Sequence, residues 1–225
     1  MAFFPFVEKE CCKNLPKIFL LCTKKILLRE DAPMATAKFN KVSACHYEDI
    51  KREIKAGDIL FCSGKYIFSK VIRYLSDSLF THVAIVFPWQ DQIMVLESEV
   101  LIGVRAVPLS NYLENYNNTN RPYRGDLYLG RHDATVDQKR GLSLVKHASS
   151  MLSMKYDNME LAQIVLRLIA KIGKHKEDNA YICSDFVTAC FEKIGVLFSK
   201  DEKGFTFPEH IASDPNVTPL FKITD

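Results

Sequence analysis

The sequence has no long apolar run and no excess of one charge, and these absences exclude several classes of protein. Near the amino end, the apolar stretch at residues 18–22 is followed closely by Lys24 and Lys25. It is too short for a membrane span and a poor match to a signal peptide. We therefore expect no transmembrane helix, in a protein that is either cytoplasmic or exported without a standard signal peptide.

Basic and acidic residues nearly balance, at 30 and 27, which leaves a net charge of +3. No basic run carries interleaved aromatic residues, so nucleic acid is not an expected partner. The chain of 225 residues is long enough for one domain with a sizeable core, or for one domain with an appendage.

Regular cysteine spacing is also missing. The seven cysteines contain no C-x-x-C pair and no cluster with histidine. A zinc site and a disulfide framework are therefore not indicated, and a reducing compartment is the simpler interpretation. We expect neither a metal nor an organic cofactor.

The pattern along the chain predicts an extension over residues 1–50, a helix plus a linker, followed by a domain over residues 51–225. The expected helix near residues 15–29 is basic and amphipathic, so contact with a membrane surface is one interpretation. A helix packed on the main domain, or a mobile extension, is simpler because surface helices commonly have this pattern.

Strands come first in the predicted domain and helices follow, which is typical of an α+β fold with a central antiparallel sheet of about five strands. The predicted strands cover residues 59–62, 81–88, 92–99, 101–108 and 125–131. Helices are predicted over residues 65–76, from Asp133 or Thr135 to about Met154, over residues 159–173, and from Cys183. Residues 205–221, with three prolines, are predicted to form a coil on the surface of the domain.

The stretch AYICSDFVTACFEKIG, residues 180–195, places Cys183 at about the first position of a helix. Free backbone N–H groups and the positive end of the helix dipole stabilise a thiolate there, and can also donate to an oxyanion. Asp185 either opposes thiolate formation or caps the first turn. A lone cysteine is more often a packing residue, and we assign Cys190, on the apolar face, to the core.

A nucleophilic cysteine needs a base, and His82 differs from the other five histidines because it lies within the strand THVAIV. If the strands at 81–88 and 92–98 form a hairpin, Glu97 lies opposite about position 82, within reach of a hydrogen bond. A carboxylate there would orient the imidazole. The alternatives are a core histidine bonded to a carbonyl and a solvated Glu97, with Glu99 on the same face.

In this chain the histidine and its partner precede the cysteine-bearing helix, which is the reverse of the order in papain. The sequence resembles the YiiX-like branch of the NlpC-type cysteine peptidase superfamily, which is circularly permuted and related to the lecithin–retinol acyltransferase group. The matching pieces run from Gly57 to about Pro215. They are GDILF, LFTHVAIV, VLESEVLIGVRAVPLSNYL, KYDNMELAQIV, AYICSDFVTACFEKIGV and FTFPEHIASDP.

The resemblance implies a permuted papain-like fold with Cys183 as nucleophile, His82 as base and Glu97 as the third, polar member. It also implies that Tyr181 lines the site. Ser184 and Asp185 match the polar pair that follows the nucleophile, near the substrate and the oxyanion.

Together these residues predict a thiol hydrolase that cleaves an amide or an ester through an acyl-enzyme intermediate. The substrate is either a peptide or a lipid derivative, because the related groups act on cell-wall peptides or on lipid esters and amides. The alternative is a non-catalytic or acyltransferase-like module that binds lipid or peptide on the same fold.

Overall fold

The computed structural model describes residues 34–64, 78–99, 102–152, 183–202 and 204–225, and the structural statements below concern these residues. The helices predicted at 15–29, 65–76 and 159–173 lie outside them, as does Tyr181. Internal contacts divide the chain into Met1–Ala32 and Pro33–Asp225, and the sheet belongs to the second unit.

Seven strands of the described part form one sheet, in the order β1-β7-β6-β2-β3-β4-β5. Neighbouring strands are antiparallel except for β1 and β7, which run parallel. The strands are β1 Ala44–His46, β2 Asp58–Gly64, β3 His82–Trp89, β4 Gln92–Glu99, β5 Gly103–Pro108, β6 Gly125–His132 and β7 Val217–Thr224.

Short helices connect these strands, and two longer helices belong to the second half. The α-helices are α1 Met34–Phe39, α2 Tyr47–Ile50, α3 Leu109–Glu114, α4 Gln138–Ser150, α5 Cys183–Glu192 and α6 Pro208–Ser213. Single turns of 3₁₀ helix cover Lys51–Glu53, Tyr116–Asn118 and Asp133–Thr135. None of the described helices is long and apolar enough to cross a membrane.

The sheet has an apolar layer on each face, which explains why β2 (DILFCSG) is buried at every position. Successive side chains of a strand point to opposite faces. Ile59 and Phe61 of β2 therefore join the layer that contains Phe186 and Phe191 of α5. Their neighbour Leu60 joins the opposite layer, under α3. A strand covered on both sides has a nearly continuous apolar sequence, as β2 has.

The α+β prediction is confirmed, and each of the five predicted strands is present. The coil predicted over residues 205–221 is wrong, because this segment contains α6 and much of β7. Its prolines fit regular structure: Pro208 begins α6, where no N–H donor is needed, and Pro219 faces Gly130 at an irregularity of the ladder. Strand β1, with three residues, is too short to show a period.

The start of α4 also differs from the prediction. Asp133 belongs to the preceding 3₁₀ turn together with Thr135. The helix is capped by Asp137, whose carboxylate accepts a hydrogen bond from the N–H of Lys139 at 2.9 Å, and it ends at Ser150. A short acidic residue immediately before the helix is the better cap because it reaches the free N–H groups of the first turn.

The division at residue 50 stays a prediction. The described part of the predicted extension, residues 34–50, contributes to the sheet unit. Phe39 is fully buried, with its ring 5.0 Å from the rings of Phe61 and Phe80. Strand β1 pairs with β7 at one edge of the sheet.

Candidate active site

Helix α5 begins at Cys183 and packs its apolar side on β3 and β4. Phe186, Val187 and Cys190 lie on this side and are buried. Cys183 itself is half-buried, at the position where the first N–H groups of the helix have no partner within the helix. Cys190 is a core residue, as predicted, and burial raises the pKa of its thiol to about 12.

His82 is the first residue of β3, next to the start of α5, and its side chain is 14% exposed. The side chain of Cys183 lies beside it and raises the pKa of the imidazole. The Nε2 atom lies 2.7 Å from Oε2 of Glu97. Because Glu97 occupies Nε2, the ring nitrogen left for the sulfur is Nδ1.

Glu97 reaches His82 diagonally. Strands β3 and β4 pair with Ile85 opposite Leu96, and this register, continued, places Ala84 opposite Glu97. The predicted pairing of position 97 with position 82 is therefore off by two residues. The two side chains still share one face, and diagonal neighbours on a face are within reach of long side chains.

The carboxylate of Glu97 is completely buried and fully hydrogen-bonded. Besides His82, it accepts a hydrogen bond at Oε1 from Nε of Arg105, at 2.8 Å, and one at Oε2 from the hydroxyl of Tyr112. Burial alone raises the pKa of Glu97, but the hydrogen bond and charge of His82, with the charge of Arg105, outweigh it. The pKa of Glu97 is therefore below its usual value, and the group is an anion.

The pKa of His82 shifts in the opposite direction. Burial lowers it, whereas the hydrogen bond and charge of Cys183, followed by those of Glu97, raise it well above the usual histidine value. The sulfur of Cys183 and the carboxylate of Glu97 thus both favour the protonated form of the imidazole. The imidazole therefore has a buried anion on one side and a sulfur on the other.

Comparison with known proteins identifies the family of this chain. Residues 53–221 match the profile of the permuted papain-like amidase enzymes, the YaeF/YiiX or C92 family. The chain belongs to this family. It is accordingly a cysteine-type hydrolase of the amidase or peptidase kind, as the sequence predicted.

Among solved structures, this permuted papain-like amidase is similar to the metalloprotein YiiX of Escherichia coli O157:H7. The two chains are 15% identical with a TM-score of 0.56, over 76% of this chain and 98% of that one. The likeness shows a shared fold. No curated protein matches the sequence.

The same side chains belong to a set of metal-ligating groups. His82, Glu97 and Glu99 offer one nitrogen and two carboxylate oxygens that lie within 4.8 Å of one another. Both oxygens of Glu97 already accept hydrogen bonds, and the positive side chain of Arg105 is one of the donors. A metal ion here would lie beside this cation and would share a carboxylate that already has three donors, so the set fits a resident metal poorly.

The remaining predicted residues lie near the helix start, or outside the described chain. Ser184 is buried, and Asp185 is half-buried in the first turn of α5. Their roles near a substrate stay predictions, and Tyr181 lies outside the described residues.

Sequence reasoning missed Arg105 and Tyr112. Arg105 lies directly opposite Glu97 in the pairing of β4 and β5. The strand GVRAVP contains this arginine and follows the strand of Glu97 after one short connection. Pairing the two strands as a hairpin would have predicted the contact. Tyr112 lies on α3, and no local pattern connects it with Glu97.

Proposed function

We propose that this amidase cleaves its substrate through a catalytic triad of Cys183, His82 and Glu97 and an acyl-enzyme intermediate. The observation that carries the proposal is that the imidazole of His82, beside Cys183, is hydrogen-bonded to the buried carboxylate of Glu97. A nucleophile, a base and a group that orients the base are the parts that covalent hydrolysis needs.

The first half-reaction forms a thioester. The proton of Cys183 moves to His82, and Sγ attacks the carbonyl carbon of the substrate. The C–N bond then breaks as His82 returns the proton to the leaving amine, which leaves the acyl group on sulfur. N–H groups at the start of α5 are the expected donors to the oxyanion. Ser184 and Asp185 are proposed to border this position, with Tyr181.

The second half-reaction restores the enzyme. His82 takes a proton from water, the resulting hydroxide attacks the thioester carbonyl, and the C–S bond breaks. The carboxylic acid leaves and the thiolate regains its proton. Glu97 keeps Nδ1 of the imidazole aimed at the sulfur and stabilises the imidazolium that forms in each half-reaction.

The bond cleaved is proposed to be an amide, as in a peptide, because the family is one of amidases. An ester would follow the same two steps with an alcohol as the leaving group, so lipid-derived substrates stay open. Contact of residues 15–29 with a membrane surface likewise remains a proposal. It can be tested by flotation of the chain with anionic vesicles.

The proposal is tested by thiol substitution and by labelling. Cys183→Ala and His82→Ala are expected to reduce hydrolysis of a peptide or acyl substrate by about a thousandfold or more. Cys45 is the matched control, since it is also a half-buried free cysteine and lies on β1, at the opposite end of the sheet order from β4 and β5. Cys45→Ala should stay within about twofold of the wild type.

Labelling with iodoacetamide tests the thiol without knowledge of the substrate. Cys183 should react faster than Cys45, and the advantage should disappear in His82→Ala. Full hydrolytic activity in Cys183→Ala would refute the triad. Equal labelling of Cys183 and Cys45, together with no turnover of peptide or lipid substrates, would favour a binding module instead.

A further inference from the structure

The carboxylate of Glu97 receives two hydrogen bonds that come from neither His82 nor the backbone. Arg105, on β5, donates from Nε at 2.8 Å and also places Nη2 at 2.8 Å from the same oxygen, Oε1. Tyr112, on α3, donates its hydroxyl to Oε2, the oxygen that also faces His82. Each carboxylate oxygen therefore has a donor supplied from outside β3 and β4.

We propose that Arg105 and Tyr112 are positioning residues, which hold Glu97 ionised and aimed at His82. This inference rests on the proposed triad and extends it. In this arrangement Arg105 is hydrogen-bonded to Glu97, Glu97 is hydrogen-bonded to His82, and His82 lies beside the sulfur of Cys183. Both residues act through Glu97, to which each donates a hydrogen bond.

The arginine is itself held in place on its far side. Nη2 of Arg105 donates to Oδ1 of Asn117 at 2.6 Å. Asn117 lies in the turn after α3 with a φ of 52°, a left-handed conformation that asparagine adopts more readily than most residues. The guanidinium is thus fixed between a carboxylate and an amide, and its side chain is only 18% exposed.

An ionised carboxylate without exposure to water needs such partners. Taking a charge out of water costs several kcal/mol, and a carboxyl group that lacks compensation takes up a proton instead. A protonated Glu97 would lose its attraction for the imidazolium form of His82. Arg105 supplies the compensating charge, because its guanidinium stays protonated throughout the working range of an enzyme.

Tyr112 is suited to the second position because it cannot lose its proton there. Burial, followed by the charge of Glu97, raises the pKa of its hydroxyl well above the usual value. Its ring packs against the rings of Tyr116 and Tyr123, at centroid distances of 4.9 and 5.6 Å. The hydroxyl is therefore a fixed donor, and it directs Oε2 toward His82.

The other titratable groups around Glu97 and His82 are the same in every variant compared below. They are Cys62 of β2, Glu99 of β4, Tyr116 of the turn after α3, and Cys183 of α5. The pKa of Cys62 is well above its usual value, chiefly because of burial, so this thiol stays neutral. Burial also raises the pKa of Glu99, although Glu99 is partly exposed.

The experiment compares the wild type with Arg105→Met, Arg105→Lys, Tyr112→Phe and Asn117→Gly. The last variant removes the far anchor of Arg105 and keeps a residue that tolerates positive φ. For each protein, the titration of the Glu97 carboxyl is followed by carbon-13 NMR. The rate of Cys183 alkylation by iodoacetamide is measured across pH, and thermal unfolding is recorded separately.

We expect the midpoint of Glu97 to move up by about 1 pH unit or more in Arg105→Met, the size of shift that one close opposite charge produces. The acid limb of the alkylation profile should move with it. Cys183 should then react about tenfold more slowly than in the wild type on that limb. Tyr112→Phe and Asn117→Gly should give smaller shifts in the same direction, and Arg105→Lys should recover most of the loss.

The outcomes separate the inference from the triad on which it rests. If Arg105→Met lowers the melting temperature while both pH profiles coincide with those of the wild type, Arg105 merely ties β4 to β5 and the inference is wrong. If Cys183 of the wild type reacts no faster than Cys45, the proposed triad fails and the positioning role fails with it. If Arg105→Met does not fold, the pH profiles of Asn117→Gly test the inference instead.

Discussion

Two histidine–carboxylate pairs lie beside α5, one near each end, and they differ in nearly every property. His82 and Glu97 meet at the start of the helix with an N–O distance of 2.7 Å. His132 and Asp214 are 3.9 Å apart, and the ring of His132 packs on Phe191, at 5.5 Å between centroids. The pKa of His82 is raised, whereas burial lowers the pKa of His132.

The opposite pKa shifts of the two histidines arise from the partners of their ring nitrogens. In His132, Nδ1 accepts a hydrogen bond from the N–H of Ala134 at 2.9 Å, and Nε2 has no hydrogen-bond partner among the described residues. An acceptor at Nδ1 requires the neutral ring. In His82 both ring nitrogens face groups that favour the charged form. The same two residue types therefore make a structural cap in one place and a reactive pair in the other.

The largest effect should come from breaking the first pair with Glu97→Gln. The amide keeps the shape of the side chain but loses the charge that favours the imidazolium and the correct tautomer. We expect hydrolysis to fall by about a thousandfold or more, measured as kcat/KM on a peptide substrate. Glu99→Gln is the control, with a much smaller loss. Activity of Glu97→Gln within threefold of the wild type would remove Glu97 from the mechanism.

The second pair is tested through stability, with His132→Asn. Because His132 binds a proton less readily when folded, the unfolded chain holds more protons as the pH falls through about 6.5, the usual histidine pKa. The contribution of His132 to the free energy of unfolding should therefore decrease between pH 7 and pH 5. In His132→Asn the amide oxygen can still accept from Ala134, and denaturant titrations should show a weaker dependence on pH. His210, whose pKa burial also lowers, accounts for part of the remaining slope.

The smallest effect is expected from Asp214→Asn. Its Oδ1 accepts a hydrogen bond from the N–H of Asn216 at 2.8 Å, and an asparagine oxygen can keep that bond. The charge of Asp214 raises the pKa of His132 against the effect of burial, so its loss should lower that pKa further. An NMR titration of the His132 ring checks this direction, while activity should stay within about twofold. An upward shift would show that Asp214 does not act on His132 through its charge.

The parts of the site that the sequence predicted are those with a local pattern. Alternation of side chains placed His82 on a strand, and the apolar spacing after Cys183 placed that residue at a helix start. The register of β3 with β4 was off by two residues, because it depends on where the turn falls, and a diagonal contact tolerates the error. Arg105 and Tyr112 were missed because their contacts require β5 and α3 to be placed in space.

The missed strand β7 shows the same limit in the fold. Its prolines indicate coil when the sequence is considered alone. The ladder accommodates Pro219 because the register of β6 with β7 shifts between Leu129 and Gly130. That irregularity depends on the pairing of two strands that are far apart in the chain. A local stretch of sequence therefore cannot predict it.

Because β5 lies at the end of the sheet order, we expect catalysis to be sensitive to heat. Among the described strands, β5 has β4 as its one neighbour, and β5 carries Arg105. Edge segments open at a smaller free-energy cost than the centre of a sheet, by fluctuations that leave the rest folded. Each such opening would withdraw the cation from Glu97. On warming, loss of catalysis should therefore precede global unfolding, and amide hydrogen exchange in β5 should follow the activity curve.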